Sequence, residues 1–206
     1  MWSIPNLLTF SRIIMIPVFI GLFYLPAPWN HQVAALVFMI AAFTDWLDGF
    51  LARRMGLVSP LGAFLDPVAD KLMVATALVL LVADNPSPWM AISAAVIIGR
   101  EITISALREW MAELGSRTTV AVSLIGKFKT ATQMGAITLL IYRHPLFGLP
   151  TYRIGEILLY IAVVLTLWSM MVYLRAAWPS LSDKQRCSGS LTTDAAPVEY
   201  RLTKRE

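Results

Sequence analysis

Cysteine and histidine are almost missing from this chain of 206 residues, which has one Cys and two His. The lone thiol, Cys187, cannot close an intrachain disulfide or supply a thiolate metal cluster by itself. It reads as an incidental free thiol in a polar stretch. Charge is scarce as well. Asp, Glu, Lys and Arg make up 15% of the residues, against about 25% in a soluble domain. Hydrophobic residues make up 57%, and the mean hydropathy is +0.66. This shortage of charge points to lipid as the solvent for most of the chain. The formal net charge of +4 does not point to nucleic acid. The basic residues sit at the ends of apolar runs, where they report membrane topology. Met1 to Pro5 carries no Lys or Arg, and no small-residue cleavage pattern follows the first apolar run. The N-terminus is therefore expected to be retained.

What is abundant is apolar sequence in long runs. A helix of about 20 apolar residues spans the hydrocarbon core of a bilayer. The runs at 7–24, 33–51, 67–83, 89–107, 119–142 and 154–174 predict an all-α fold with six membrane-spanning helices. Residues 179–206 are rich in Ser, Thr, Asp and Lys without an apolar period. They read as a disordered cytoplasmic tail, leaving 1–178 as one membrane domain. Six spans place both termini on one side. Of the 17 Lys and Arg residues, all but Arg143 and Arg153 then fall on that side or in the spans next to it, which makes it the cytoplasm. His31 and His144 fall on the outer side. Trp29, Trp89, Trp168 and Trp178 read as belt or packing residues, and Gly126 and Gly135 as helix-packing positions.

Four carboxylates break the apolar pattern where two runs adjoin. Asp45 and Asp48 end the second run, and Asp66 and Asp70 begin the third. Spacings of three and four put each pair on one helix face. The connection between the runs is cytoplasmic, so the pairs can face each other. Asp66 also suits a helix cap, with Pro67 in the first turn. Four carboxylates together would repel unless neutralised, and ionisable groups inside a membrane are functional by default. Hard oxygen donors without His or Cys nearby favour Mg²⁺ or Mn²⁺. Two such ions could clamp a pyrophosphate. Gly49 and Ala52 would let a nucleotide approach the backbone, and Arg53 offers a fork to phosphate. Arg54 and Lys71 read as snorkelling anchors.

These residues match the signature D-x2-D-G-x2-A-R-x8-G-x3-D-x3-D. Each fixed identity is present: Asp45, Asp48, Gly49, Ala52, Arg53, Gly62, Asp66 and Asp70. The chain thereby resembles the CDP-alcohol phosphotransferase family. The resemblance implies a six-helix membrane fold, a homodimer, and a two-metal site held by the four aspartates. It also implies that Asp70 acts as general base on an acceptor hydroxyl. The CDP-lipid donor would lie against Asp48, Gly49, Ala52, Arg53, Ser59 and Gly62, and against Asn6, Thr9 and Arg12 of the opening segment.

Three further stretches narrow the resemblance. Ile4 to Arg12, Gly99 to Trp110, and Ile125 to Thr130 with Gln133 are similar to the bacterial branch of the family whose acceptor is glycerol 3-phosphate. This likeness covers roughly residues 4–178. It implies CDP-diacylglycerol as donor and an inner-membrane enzyme with its site facing the cytoplasm. A dianionic acceptor needs fixed positive charge, for which Arg100, Arg108, Arg117, Lys127 and Lys129 are the candidates. Arg100 and Arg108 lie about two turns apart and can face one cavity. Arg100 lies inside the fourth run, which is costly unless it is paired, and Glu101 is a candidate partner. Arg108, Arg117 and Lys129 also read as topology anchors. An inositol phosphate acceptor would need the same cations, so charge alone leaves the alcohol open. A divalent-cation transporter is the competing class. It is disfavoured because no acidic relay reaches the outer face and no internal repeat is present.

Overall fold

Lipid cannot hydrogen-bond a bare backbone, so an apolar chain satisfies its amides within helices. The computed structural model describes residues 4–55, 60–113, 124–146 and 148–190. Among them are six helices: α1 (Ile4–Phe23), α2 (Asn30–Met55), α3 (Pro60–Asp84), α4 (Pro88–Glu113), α5 (Leu124–Tyr142) and α6 (Thr151–Ser190). Over its described residues each predicted apolar run coincides with a helix of its own, and 119–123 of the fifth run lie outside the described residues. Among the described residues, Pro88–Met111 and Thr151–Val172 are long and apolar enough to cross a membrane. Only 28% and 22% of these stretches is buried within the chain. A soluble protein would cover such surface; here it faces outward, as lipid contact requires. Phe10–Phe23 is a shorter apolar helix.

Local sequence sets the helix ends. Pro26 and Pro28 separate α1 from α2, and Pro88 opens α4 in the first-turn position that tolerates a missing N–H. Arg143 closes α5 in the left-handed region, with φ 62°, and its N–H donates to Leu139 O at 3.2 Å. Such a residue ends a helix and redirects the chain. Gly148, with φ 78°, completes the turn into α6. Pro17 lies inside α1, a position that membrane helices tolerate. Three helical hydroxyls are satisfied locally: Thr44, Thr103 and Thr138 each donate to the carbonyl four residues back.

The helix α6 runs on to Ser190, past the point where the sequence suggests that a disordered tail begins. Its polar residues lack an apolar face but are compatible with continued helix. Residues 191–206 lie outside the described part of the chain.

In a bilayer the helices gain little from hydrophobicity when they associate, so close packing decides their arrangement. α5 packs most extensively on α6; α1 lies against α2 and α3, α2 against α5, and α4 against α6 and α3. The interior holds Phe19, Phe38, Leu78, Ile97, Ile137 and Leu159. The Phe19 and Phe38 rings stand 6.0 Å apart. The α5–α6 approach depends on Gly155, where an added Cβ would lie 2.9 Å from Leu140 Cγ and 3.2 Å from Leu140 N. At Gly135 an added Cβ would meet no described atom within 4 Å, so no close packing contact is seen there among the described residues. Trp29, Trp89 and Trp168 are exposed, as belt residues would be.

Candidate active site

Three helices bring the first charged cluster together. Arg12, in the middle of α1, is 1% exposed. Its Nη1 lies 2.8 Å from Asp45 Oδ1 on α2. Arg12 also lines a small cavity with Asp70 of α3, between Phe38, Met73 and Met134. Asp70 feels the charges of Asp45, Arg12, Glu101 and Lys71. A buried guanidinium thus stands beside both described members of the aspartate motif. The reason is economic in charge: two carboxylates at one end of an apolar bundle need a nearby cation.

The second cluster joins α4, α5 and α6. Arg100 Nη1 donates to Glu101 Oε1 at 2.6 Å, and its Nη2 donates to Ser169 Oγ at 3.3 Å. Lys129 of α5, 3% exposed, donates to the same Glu101 oxygen at 3.0 Å. One carboxylate therefore holds two of the cations expected to receive an acceptor phosphate. The trio keeps one net positive charge. Gln133, one turn along α5 from Lys129, is buried as well.

Lys71 connects the clusters. It does not snorkel outward as its sequence position suggests; its ammonium donates to Ser105 Oγ on α4. Ser105 and Glu101 are four apart and share a helix face. Lys71, next to Asp70, thus reaches a hydroxyl one helical turn from Glu101, which sets the two clusters close together. Lys71, Ser105 and Ser169 were not singled out from sequence as site residues. The available signal for Ser105 was its spacing of four from Glu101, which puts both on one face of α4.

Other expected site residues are placed less fully. Asp48, Gly49, Ala52 and Arg53 fall in α2, Gly62 and Asp66 in α3, Asn6 and Thr9 in α1, Arg108 in α4 and Lys127 in α5. Their side chains lie outside the described part of the structure. Ser59 and Arg117 lie outside the described residues altogether. Among the described residues no group of three His, Cys, Asp or Glu is placed to hold a metal ion. The two described aspartates do fit a hard divalent ion in donor chemistry, since both are carboxylates and neither has a thiol or imidazole beside it.

Outward-facing apolar helices around one end that gathers carboxylates and cations describe a helical membrane protein. A sequence profile described as CDP-alcohol phosphatidyltransferase matches residues 2–168, and the chain belongs to that family. Among its relatives is the CDP-diacylglycerol--glycerol-3-phosphate 3-phosphatidyltransferase of Pseudomonas fluorescens, 55% identical over 185 residues, covering 89% of this chain and 94% of the relative. Proteins of the same name from Salmonella typhimurium (strain LT2) and Escherichia coli (strain K12) are 54% and 53% identical, each match covering 89% of this chain and 99% of the relative.

Proposed function

We propose that this chain transfers the phosphatidyl group of CDP-diacylglycerol to glycerol 3-phosphate, yielding phosphatidylglycerophosphate and CMP. The observation that carries this reading is identity above half, across nearly the whole length of relatives that bear that name. The site geometry supports it through the Arg12–Asp45–Asp70 cluster and the adjacent Arg100–Glu101–Lys129 cluster.

Asp45, Asp48, Asp66 and Asp70 would hold Mg²⁺ or Mn²⁺, two ions in the fullest form. When bound, the metal supplies Lewis-acid polarisation of the pyrophosphate. The chain's own residues do the rest. The acyl chains of the donor stay in the bilayer, and its pyrophosphate enters between α1, α2 and α3. Arg100 and Lys129, aligned by Glu101, receive the acceptor's dianionic phosphate. Arg108, Arg117 and Lys127 add positive charge. Asp70 takes the proton from the acceptor hydroxyl. The freed oxygen attacks the lipid-side phosphorus, the bond to the CMP oxygen breaks, and CMP leaves with the electron pair. Among the described residues no side chain is placed as a nucleophile with its own base, so direct displacement is the simpler path.

The same reading makes the protein a multi-pass homodimer of the bacterial inner membrane. Its six helices would span the bilayer, with both termini and the site facing the cytoplasm. Residues 1–178 form the membrane domain and 179–206 a cytoplasmic extension.

The test is CMP release from CDP-diacylglycerol by purified protein in detergent with Mg²⁺ or Mn²⁺. Glycerol 3-phosphate would be compared with inositol, inositol phosphate, serine and phosphatidylglycerol. Release should need glycerol 3-phosphate, stop with EDTA and return with added metal. Release with a different alcohol would overturn the acceptor, and no release from folded protein would overturn the reaction.

A further inference from the structure

The end of the bundle opposite the aspartates holds a second polar site. His31 begins α2 fourteen residues before Asp45, and Asp84 ends α3 fourteen residues after Asp70. At 1.5 Å per helical residue, this end lies about 20 Å from the first site along the helices. His31, Asn85, Arg143, His144 and Tyr152 line a cavity of about 470 Å³. Small-ligand sites commonly measure about 300–1,000 Å³.

The lining is rich in donors, and the carboxylate beside it, Asp84, is paired with Arg143, Nη1 to Oδ2 at 2.8 Å. Its guanidinium carbon stands 6.0 Å from the centre of the Tyr152 ring. The backbone of Arg143 is left-handed, a conformation that costs a branched or long residue energy and concentrates at functional positions. Asn85 donates to the Tyr152 hydroxyl, which leaves the phenolic hydrogen for another acceptor. His31 Nδ1 is buried without a hydrogen-bond partner among the described residues. The cavity is also met by the N-terminal turns of α2 and α6, at His31 and Tyr152. The His31 N–H is already taken by Asn30 Oδ1 at 2.7 Å, so what these helix starts offer an anion is chiefly their dipole. A cation site does not fit, because no three His, Cys, Asp or Glu among the described residues gather here.

We infer that this cavity binds a phosphate anion, and its position points to the head group of an anionic membrane phospholipid. Trp29 and Trp89, 46% and 68% exposed, stand at the starts of α2 and α4. Exposed tryptophans mark the level of lipid head groups. The site is independent of the acceptor assigned above, because it uses none of the same residues.

The chain's two histidines, His31 and His144, both line this cavity, so they report on it selectively. The experiment is histidine-selective ¹⁵N NMR of the full chain in nanodiscs at fixed pH. Phosphatidylglycerol would replace phosphatidylcholine stepwise in one arm, and inorganic phosphate would be added to phosphatidylcholine nanodiscs in the other. His144→Gln assigns the remaining signal to His31. Saturable shifts of both rings with phosphatidylglycerol, at least tenfold weaker in Arg143→Gln and restored in Arg143→Lys, are the expected result. Shifts with inorganic phosphate alone would keep the anion site and make its ligand free phosphate. Unmoved rings in both arms, or shifts unchanged by Arg143→Gln, would overturn the inference. Binding at the aspartate site would not produce the pattern, since it lies about 20 Å away.

Discussion

Replacing Arg12 with Met tests the electrostatic account of the aspartate end. Arg12 is 1% exposed and its side chain lies 2.8 Å from Asp45. At an effective dielectric constant of 20, unit charges 4 Å apart attract by about 4 kcal/mol. Removing one member of a fully buried pair costs about 3–5 kcal/mol. Asp45 is 38% exposed, so solvent screens the carboxylate and the cost should fall to about 2–3 kcal/mol. Met fills much of the space of the arginine stem, which keeps packing loss small. At about 2–4 °C per kcal/mol for a chain of this size, the melting temperature should fall by about 4–12 °C. The assay is thermal unfolding in detergent with EDTA, so that divalent ions cannot mask the loss. Asp45→Asn in the same background should recover part of the fall, because it removes the carboxylate that needed the cation. The double-mutant cycle should give a coupling of at least about 1 kcal/mol. A melting temperature within 1 °C of the parent, or strictly additive effects, would refute the reasoning.

Three other outcomes are expected. Asp70→Asn should lower CMP release by at least about 10²-fold, the scale of a lost general base, while far-ultraviolet circular dichroism stays unchanged; full turnover would remove Asp70 from the chemistry. Glu101→Gln frees Arg100 and Lys129 from their shared carboxylate, so the KM for glycerol 3-phosphate should rise at least about tenfold with a smaller change in kcat, if alignment rather than total charge governs acceptor binding. Steady-state kinetics with varied acceptor decides it. Gly155→Val pushes a branched side chain into Leu140 and should cost about 1–3 kcal/mol, read as a lower melting temperature.

The helices and the aspartate motif were legible in the sequence for local reasons. Hydrophobic run length sets a helix in lipid, and prolines at 26, 28, 86 and 88 bracket the runs. The spacing of Asp45, Asp48, Asp66 and Asp70 needs only helical periodicity and a short connection to bring the pairs to one end. The partnership of Arg100 with Glu101 was also readable, because neighbours in an apolar helix must satisfy each other.

What tertiary structure alone decided is which faces meet. Nothing local tells Arg12 that α1 will lie across α2 and place it beside Asp45. Lys71 looks like an interfacial anchor until α4 presents Ser105 to it. Lys129 joins Glu101 only because α5 and α4 bring them within 3.0 Å. The cavity of His31, Asn85, Arg143, His144 and Tyr152 gathers residues from four helix ends and one turn. Periodicity fixes the face a residue occupies on its own helix, but the neighbour that face finds depends on close packing among all six. That packing is a property of the whole bundle and is written in no single stretch of it.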